Sequence, residues 1–332
     1  MREFQINGNE AGQRLDKYLK KLLAQAPSSF IYKMLRKKNI TLNGKKASGA
    51  EQLSVGDDVM LFLSEETFLK FAEKQKSSET YETLRRLKPL PVIYEDDDIL
   101  IVNKPSGLLS QKASPSDISA NEHILGYLLR ERALTEEMLA TFQPSICNRL
   151  DRNTSGLLTA GKTLKGLQEL SLAFKERTVQ KYYRCIIKGE LGEGAHLKGW
   201  LWKDEDKNQV EIFETMPAHE AGARILPIET EYLPVKTAGG YTELEVHLIT
   251  GRSHQIRAHL ASIGHPIIGD SKYGDRRLNA KLGKEASIHS QLLHAYCMIF
   301  CDGKKITAPC GAEFERFWNY VDHSVLYHSH FV

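Results

Sequence analysis

Apolar positions in this chain change their spacing several times, and each change marks an element. Across residues 12–23, Leu15, Tyr18, Leu19, Leu22 and Leu23 recur on one side of a helix. Pro27-Ser28-Ser29 interrupts that pattern and offers an N-cap to a second helix over 30–38. Ile40-Thr41-Leu42, Asn43-Gly44 and Lys45-Lys46 read as strand, tight turn and strand, and residues 55–63 add a further turn and strand. Residues 64–88 are rich in Glu, Lys, Ser and Thr, the composition of a linker with some helical pieces.

The pattern then becomes strand-rich. Residues 92–107 form a hairpin across an acidic turn, residues 121–132 a helix, and residues 133–143 a polar insertion. Residues 163–176 place Leu164, Leu167, Leu170 and Phe174 on one helical side. Residues 177–189 read as a strand, and 241–248 show the clearest alternation. Residues 250–260 leave a strand and become a helix ending near Gly264, with Ile256, Leu260 and Ile263 inward. Strands and helices do not alternate regularly, which predicts an α+β fold: a mixed, mostly antiparallel sheet with peripheral helices, preceded by a small α+β unit. The expected divisions are 1–63, a linker over 64–88, and a large domain over 89–332.

Composition narrows the class. The chain has 332 residues, 41% hydrophobic and 26% charged, which suits a water-soluble globular protein of two domains. No apolar run approaches the roughly 20 residues needed to span a bilayer, and the N-terminus lacks a signal-peptide core, so a cytoplasmic protein without membrane contact is expected. Five cysteines (Cys147, Cys185, Cys297, Cys301 and Cys310) argue against a disulfide framework. His294, Cys297 and Cys301 lie in an apolar stretch without metal-ligand spacing, and His254, His259 and His265 lack the spacing of a two-histidine zinc helix, so no metal is expected.

The net charge of +3 is uneven. Residues 1–63 hold eleven Lys and Arg against six Asp and Glu, an excess of +5 that leaves the remainder at −2. Lys33, Arg36, Lys37, Lys38, Lys45 and Lys46 fall between Pro27 and Lys46 without one acid, and phosphate contacts account for this better than a solvated helix face.

Candidate chemistry centres on Asn148-Arg149-Leu150-Asp151-Arg152-Asn153-Thr154-Ser155-Gly156-Leu157-Leu158. Aliphatic patches on both sides predict buried extended chain with a polar bend between them. Opposite charge nearby favours the ionised form of Asp151, which suits a nucleophile or base. Arg14-Leu15-Asp16 repeats the tripeptide inside an ordinary amphipathic helix, so only the longer context separates the two copies. Arg257 lies beside an apolar stripe, shares a face with His254, and calls for a buried carboxylate partner.

Arg14 through Leu19, Ile31 through Arg36, Ile40 through Lys45 and Gly56-Asp57 together resemble the alpha-L RNA-binding module (the S-four domain of ribosomal proteins), which implies binding to structured RNA. Further stretches resemble the RluA family of pseudouridine synthases with such a module in front. They are Asn103-Lys104-Pro105-Ser106-Gly107, Arg149-Leu150-Asp151-Arg152 with Thr154-Ser155-Gly156-Leu157, and Phe174 through Gly189. Gly251 through Arg257 with His259-Leu260, Gly264 through Asp270 with Tyr273, Leu293-His294-Ala295 and Ala308-Pro309 complete the set.

That resemblance implies isomerisation of uridine to pseudouridine in RNA, chiefly large-subunit ribosomal RNA, by a monomer without cofactor or metal. It implies that Asp151 is the essential aspartate, acting on the ribose carbon or triggering loss of a neighbouring proton. Tyr183 would stack on the base and take that proton, and Arg257 would pair with the aspartate. Arg149 would fill the gap left by the flipped nucleotide, with Arg152, Thr154, Arg252 and His254 as further substrate contacts. One position departs from the family: Asn148 stands where His is usual, which implies retained catalysis with altered RNA contacts. Alternatives left open are the same chemistry on transfer RNA and a non-catalytic RNA-binding or ribosome-assembly protein. A glycosidase is disfavoured, because no second carboxylate occurs in a motif.

Overall fold

The computed structural model describes all residues except 73–77, 137, 205–208, 218–224 and 330–332. Near the N-terminus, β1 (Arg2–Gln5), α1 (Leu15–Leu22), α2 (Ser28–Arg36), β2 (Ile40–Leu42), β3 (Lys45–Lys46) and β4 (Asp58–Leu61) build a four-stranded sheet in the order β1-β4-β2-β3. Leu15, Leu19, Leu23, Ile31 and Leu35 close its core against Ile40, Val59 and Leu61. Asn43 and Gly44 both take positive φ, 49° and 69°, as a two-residue hairpin of this twist requires.

Local details depart from expectation. Helix α1 starts at Leu15 because the preceding chain is extended and bridges Gln52 through Arg14. Helix α2 starts earlier, with Pro27 at the cap position and no side-chain cap, and ends where Lys38 turns to φ 59°. Strand β1 was not anticipated from its four mixed residues, yet it pairs along its length with β4.

The stretch expected as linker is largely helical. In α3 (Glu65–Phe71), Ser64 accepts a capping bond from the Thr67 amide, and Phe68 is buried in the N-terminal core. Helix α4 (Ser78–Arg86) packs through Tyr81 and Leu84 onto α5 (Ala120–Arg130). The two approach so closely at Gly126 that an added Cβ would meet the Leu84 carbonyl oxygen at 2.1 Å, so only glycine fits there.

The second sheet contains β5 (Val92–Glu95), β6 (Ile99–Lys104), β7 (Ser145–Ile146), β8 (Ser155–Gly161), β9 (Gln180–Lys188), β10 (Ala195–Asp204), β11 (Gln209–Phe213), β12 (Ile225–Ala238), β13 (Tyr241–Leu248), β14 (Leu293–Ile299) and β15 (Lys305–Thr307). Its order is β11-β10-β12-β13-β9-β14-β8-β6-β5, with β7 on β8 and β15 on β14. Every pairing is antiparallel except β8 with β14, so the expected mixed, mostly antiparallel sheet is what forms. Alternation decides the two faces: Leu244 and Val246 of β13 join Tyr183, Cys185 and Leu158 under α5 and α7 (Gln255–Ser262). Opposite them, Ile186 packs beneath α8 (Arg276–Glu285) and α9 (Ala312–Ser329), and α6 (Leu164–Glu176) places Phe174 near Leu157.

Two further expectations are corrected. The 133–143 insertion is not merely polar: Leu134 and Phe142 are buried, and Met138 and Leu139 pack on the main core. Ile263 is exposed, because α7 ends at Ser262 and leaves it beyond the buried turn. Among the described residues no helix is long and apolar enough to cross a membrane.

Candidate active site

Strands β7 and β8 pair antiparallel, and the loop between them carries Asp151. Five side chains bind this loop to its surroundings. The Asn148 amide acts as an extra residue of β7: its Oδ1 accepts from the Thr159 amide (2.8 Å) and hydroxyl (2.9 Å), and its Nδ2 donates to the Leu157 carbonyl (3.2 Å). The Ser110 hydroxyl donates to the Leu150 carbonyl (2.7 Å) and accepts from its amide (3.0 Å). Lys104, fully buried, donates from Nζ to the carbonyls of Pro105, Leu108 and Arg152 at 2.8–3.1 Å. Ser106 donates to the Asn153 carbonyl (2.9 Å), and Gln291 donates to Thr154 Oγ1 (2.9 Å). Several of these bonds satisfy backbone groups of the loop, so the bend is held by many small contributions of about 1 kcal/mol each. Asn148 therefore faces its own sheet, and the position where His was expected is spent on holding β8.

The guanidinium that reaches Asp151 comes from α7. His254 precedes that helix in the left-handed region (φ 54°), which turns the chain so that Arg257 points back at the loop. Arg257 Nη1 donates to Asp151 Oδ2 at 2.7 Å. Its Nε and Nη2 grip Asp270 as a fork, at 2.7 and 2.9 Å. The three groups differ in burial: the Asp270 side chain is 0% exposed, Arg257 6% and Asp151 28%. Asp270 also accepts from the amides of Lys272 and Tyr273 (2.8 and 3.1 Å). Burial pushes its carboxyl up, but Arg257 and those amides hold it below the usual carboxylate range. Burial likewise opposes the Arg257 charge, and the two carboxylates more than restore it. Asp270 fixes the arginine, and Arg257 in turn leaves Asp151 Oδ1 without a hydrogen bond among the described residues.

Three titratable neighbours complete the site. Tyr183 is buried on β9, where desolvation and the nearby Asp151 charge push its phenol up, so it is neutral at ordinary pH. Burial pulls the Lys104 ammonium down to about 7, with Asp151 opposing. His254 lies 4.0 Å from Asp151 through Nε2, and its Nδ1 faces the Tyr273 hydroxyl at 2.9 Å. Burial depresses His254 below its ordinary value, so it is uncharged near neutrality.

The structure brings Asp151, Tyr183, Arg257 and His254 together. Arg149 and Arg152 are exposed at the rim, and neither pairs with Asp151; Arg152 instead donates to the Gly107 carbonyl at 3.0 Å. The flanking arginines thus do not supply the charge that the tripeptide suggested, because adjacent side chains in an extended bend diverge. Thr154, expected to touch substrate, is buried, and its hydroxyl accepts from Gln291. Arg252 is half-buried on the loop before α7. Lys33, Arg36, Lys37, Lys38, Lys45 and Lys46 are all exposed on α2 and the hairpin after it, with no ion pair among the described residues. Arg14-Leu15-Asp16 has a different fate: Asp16 is buried and receives bonds from Arg14 and Tyr32.

Sequence reasoning gave Asp270 no role, though it did ask for a buried carboxylate opposite Arg257. The available signal was Ile267-Ile268-Gly269-Asp270, an acid directly after an apolar run. It also left Ser110 and Gln291 unnoticed, and nothing in their local sequence marks them.

Known proteins are similar to this chain in sequence and in fold. The family described as RNA pseudouridylate synthase matches residues 98–262, and the S4 domain matches residues 13–59. The chain is 32% identical over 317 residues to ribosomal large subunit pseudouridine synthase C of Vibrio vulnificus, covering 94% of this chain and 93% of that protein. It is 30% identical over 306 residues to the protein of the same name from Escherichia coli, covering 89% and 87%. Among solved structures, human RNA pseudouridylate synthase domain containing 4 shares the fold with a TM-score of 0.55 at 18% identity, over 73% of this chain and 95% of that one. Human RNA pseudouridylate synthase domain containing 1 does so with a TM-score of 0.51 at 21% identity, over 67% and 86%. The chain belongs to the RNA pseudouridylate synthase family, with an S4 domain at its N-terminal end.

Proposed function

We propose that this chain isomerises uridine to pseudouridine in large-subunit ribosomal RNA, with Asp151 acting at the sugar of a flipped nucleotide. The observation that carries this reading is the split use of the Asp151 carboxylate: Arg257 holds Oδ2 at 2.7 Å and leaves Oδ1 for substrate. In the reaction the bond from C1′ to N1 of uracil breaks, the ring turns, and C1′ rejoins through C5. The proton leaves C5, and N1 gains one. Positive character grows on the sugar and negative charge on the ring, so a fixed carboxylate complements the first. The neutral Tyr183 ring suits stacking on the extruded base and a hydrogen-bond contact more than service as a base in the resting state. Arg149 fills the gap in the RNA, a role its exposure supports. All bonds are redrawn within one nucleotide and no electrons are exchanged, so the chemistry calls for neither a redox cofactor nor a metal.

Residues 1–63 act as the RNA anchor, residues 64–88 connect, and residues 89–332 carry the chemistry. The acid-free basic face of α2 and the 40–46 hairpin supports the first assignment. Similarity to proteins named for the large ribosomal subunit favours that RNA over transfer RNA. Mapping pseudouridines in both RNA classes from cells with and without the gene tests the target. Loss of a site confined to large-subunit ribosomal RNA is expected, and loss confined to transfer RNA overturns the choice.

A further inference from the structure

Lys181 stands near the site with a charge that no described residue answers. It is two residues before Tyr183 on β9, so alternation places both on one face of the sheet, roughly 7 Å apart along the strand. Tyr182 between them points away and stacks on His247 at 4.6 Å. The ammonium lies against the loop that leads into α7: an added Cβ at Gly251 would come within 3.3 Å of Lys181 Nζ. That loop carries Arg252 and His254.

Among the described residues Lys181 makes no hydrogen bond and no ion pair. It is half-buried, and burial together with the like charge of Arg177 holds its ammonium below the usual lysine value. Arg177 is exposed at the end of α6, with left-handed backbone at φ 60°. Partly dehydrating a cation beside another cation is unfavourable unless an anion completes the set. Among the described residues no carboxylate pairs with Lys181, so the anion comes with the ligand.

We propose that Lys181, with Arg177 beside it, binds a backbone phosphodiester of the RNA next to the flipped uridine. This rests on the reading of the site as a uridine isomerase. Flipping swings a nucleotide about its own backbone, which brings the adjoining phosphates to the rim while the base enters beside Tyr183. The separation of Lys181 from Tyr183 is on the scale of one nucleotide. A lysine is a point charge with three donors and suits a phosphate approached from one side. Gly251 leaves the ammonium room to sit under the loop.

The test uses the full chain and unmodified large-subunit ribosomal RNA transcribed in vitro. Binding is measured between about 50 and 200 mM salt for the parent, Lys181→Met and Lys181→Arg, with pseudouridine formation followed on the same RNA. Lys181→Met is expected to keep its Tm, to lower the slope of log affinity against log salt by about one, and to raise KM about ten-fold. Lys181→Arg restores the slope. An unchanged slope in folded Lys181→Met overturns the proposal, and so does a lost Tm that Lys181→Arg rescues with no change in slope. If the slopes behave as expected but the parent forms no pseudouridine, the choice of target falls and the phosphate contact stands.

Discussion

Asp151 and Arg257 are 106 residues apart in the chain and 2.7 Å apart in space. Only one of the carboxylate oxygens is taken by that contact. The other two nitrogens of the guanidinium each donate to Asp270, so the pair cannot drift without breaking a buried fork.

Asp151→Asn keeps the shape and removes the charge. The expected result is loss of isomerisation by several orders of magnitude, with RNA binding and Tm close to the parent because the side chain is partly exposed. Turnover near the parent rate would rule out Asp151 as the acting group; release of tritium from C5-tritiated uridine, or mass spectrometry after pseudouridine-specific derivatisation, reads it.

Asp270→Asn touches no substrate and is expected to be the more destructive change for stability. It leaves Arg257 buried with only the half-exposed Asp151 as counter-ion, which costs at the lower end of roughly 3–5 kcal/mol. Urea unfolding measures that loss, and activity falls with it because the arginine is no longer aimed.

Lys104→Met preserves bulk but strands three carbonyls, one of them on Arg152 beside Asp151. A displacement of even about 1 Å in such a site lowers rate on the order of 100-fold. The fall should appear in kcat with KM little changed, and single-turnover kinetics separates the two.

Replacing Arg36, Lys37 and Lys38 together by Gln alters only exposed side chains, so Tm should hold. Each lost phosphate contact removes somewhat less than one from the salt slope, and the triple variant should lose roughly two. Filter binding over a salt series decides it; a parent-like slope would remove this face from the RNA interface.

Acid should destabilise the fold in a defined window. His259 and His294 are buried, and desolvation lowers each to about 4 in the folded state. The unfolded chain protonates both near 6.5. As pH falls from about 6.5 to about 4, the unfolded state therefore binds protons that the folded state refuses, and stability drops by on the order of 3 kcal/mol for each. Unfolding midpoints measured at several pH values should fall across that range, and His294→Gln should remove part of the slope.

Much of this protein is written locally. The 40–46 hairpin, the alternation of 241–248 and the helix over 164–176 follow from period and turn residues, which act over a few positions and need no distant partner. The basic, acid-free surface of residues 33–46 is equally legible, because charge does not depend on folding. The packing of the helices within 64–88 was less legible for the complementary reason: Phe68, Tyr81 and Leu84 are few, and only their partners in two different cores give them weight. The site shows the same division. The chain itself marks Asp151 as a candidate by its setting between two apolar runs, but its immediate neighbours Arg149 and Arg152 point elsewhere. Which cation reaches it, which acid aims that cation, and which side chains tie down the loop were settled by bringing β6, β8, α7 and the 266–274 turn to one point. Electrostatic and hydrogen-bond energies depend on distances of a few ångströms in space, and spacing along a chain carries no record of them.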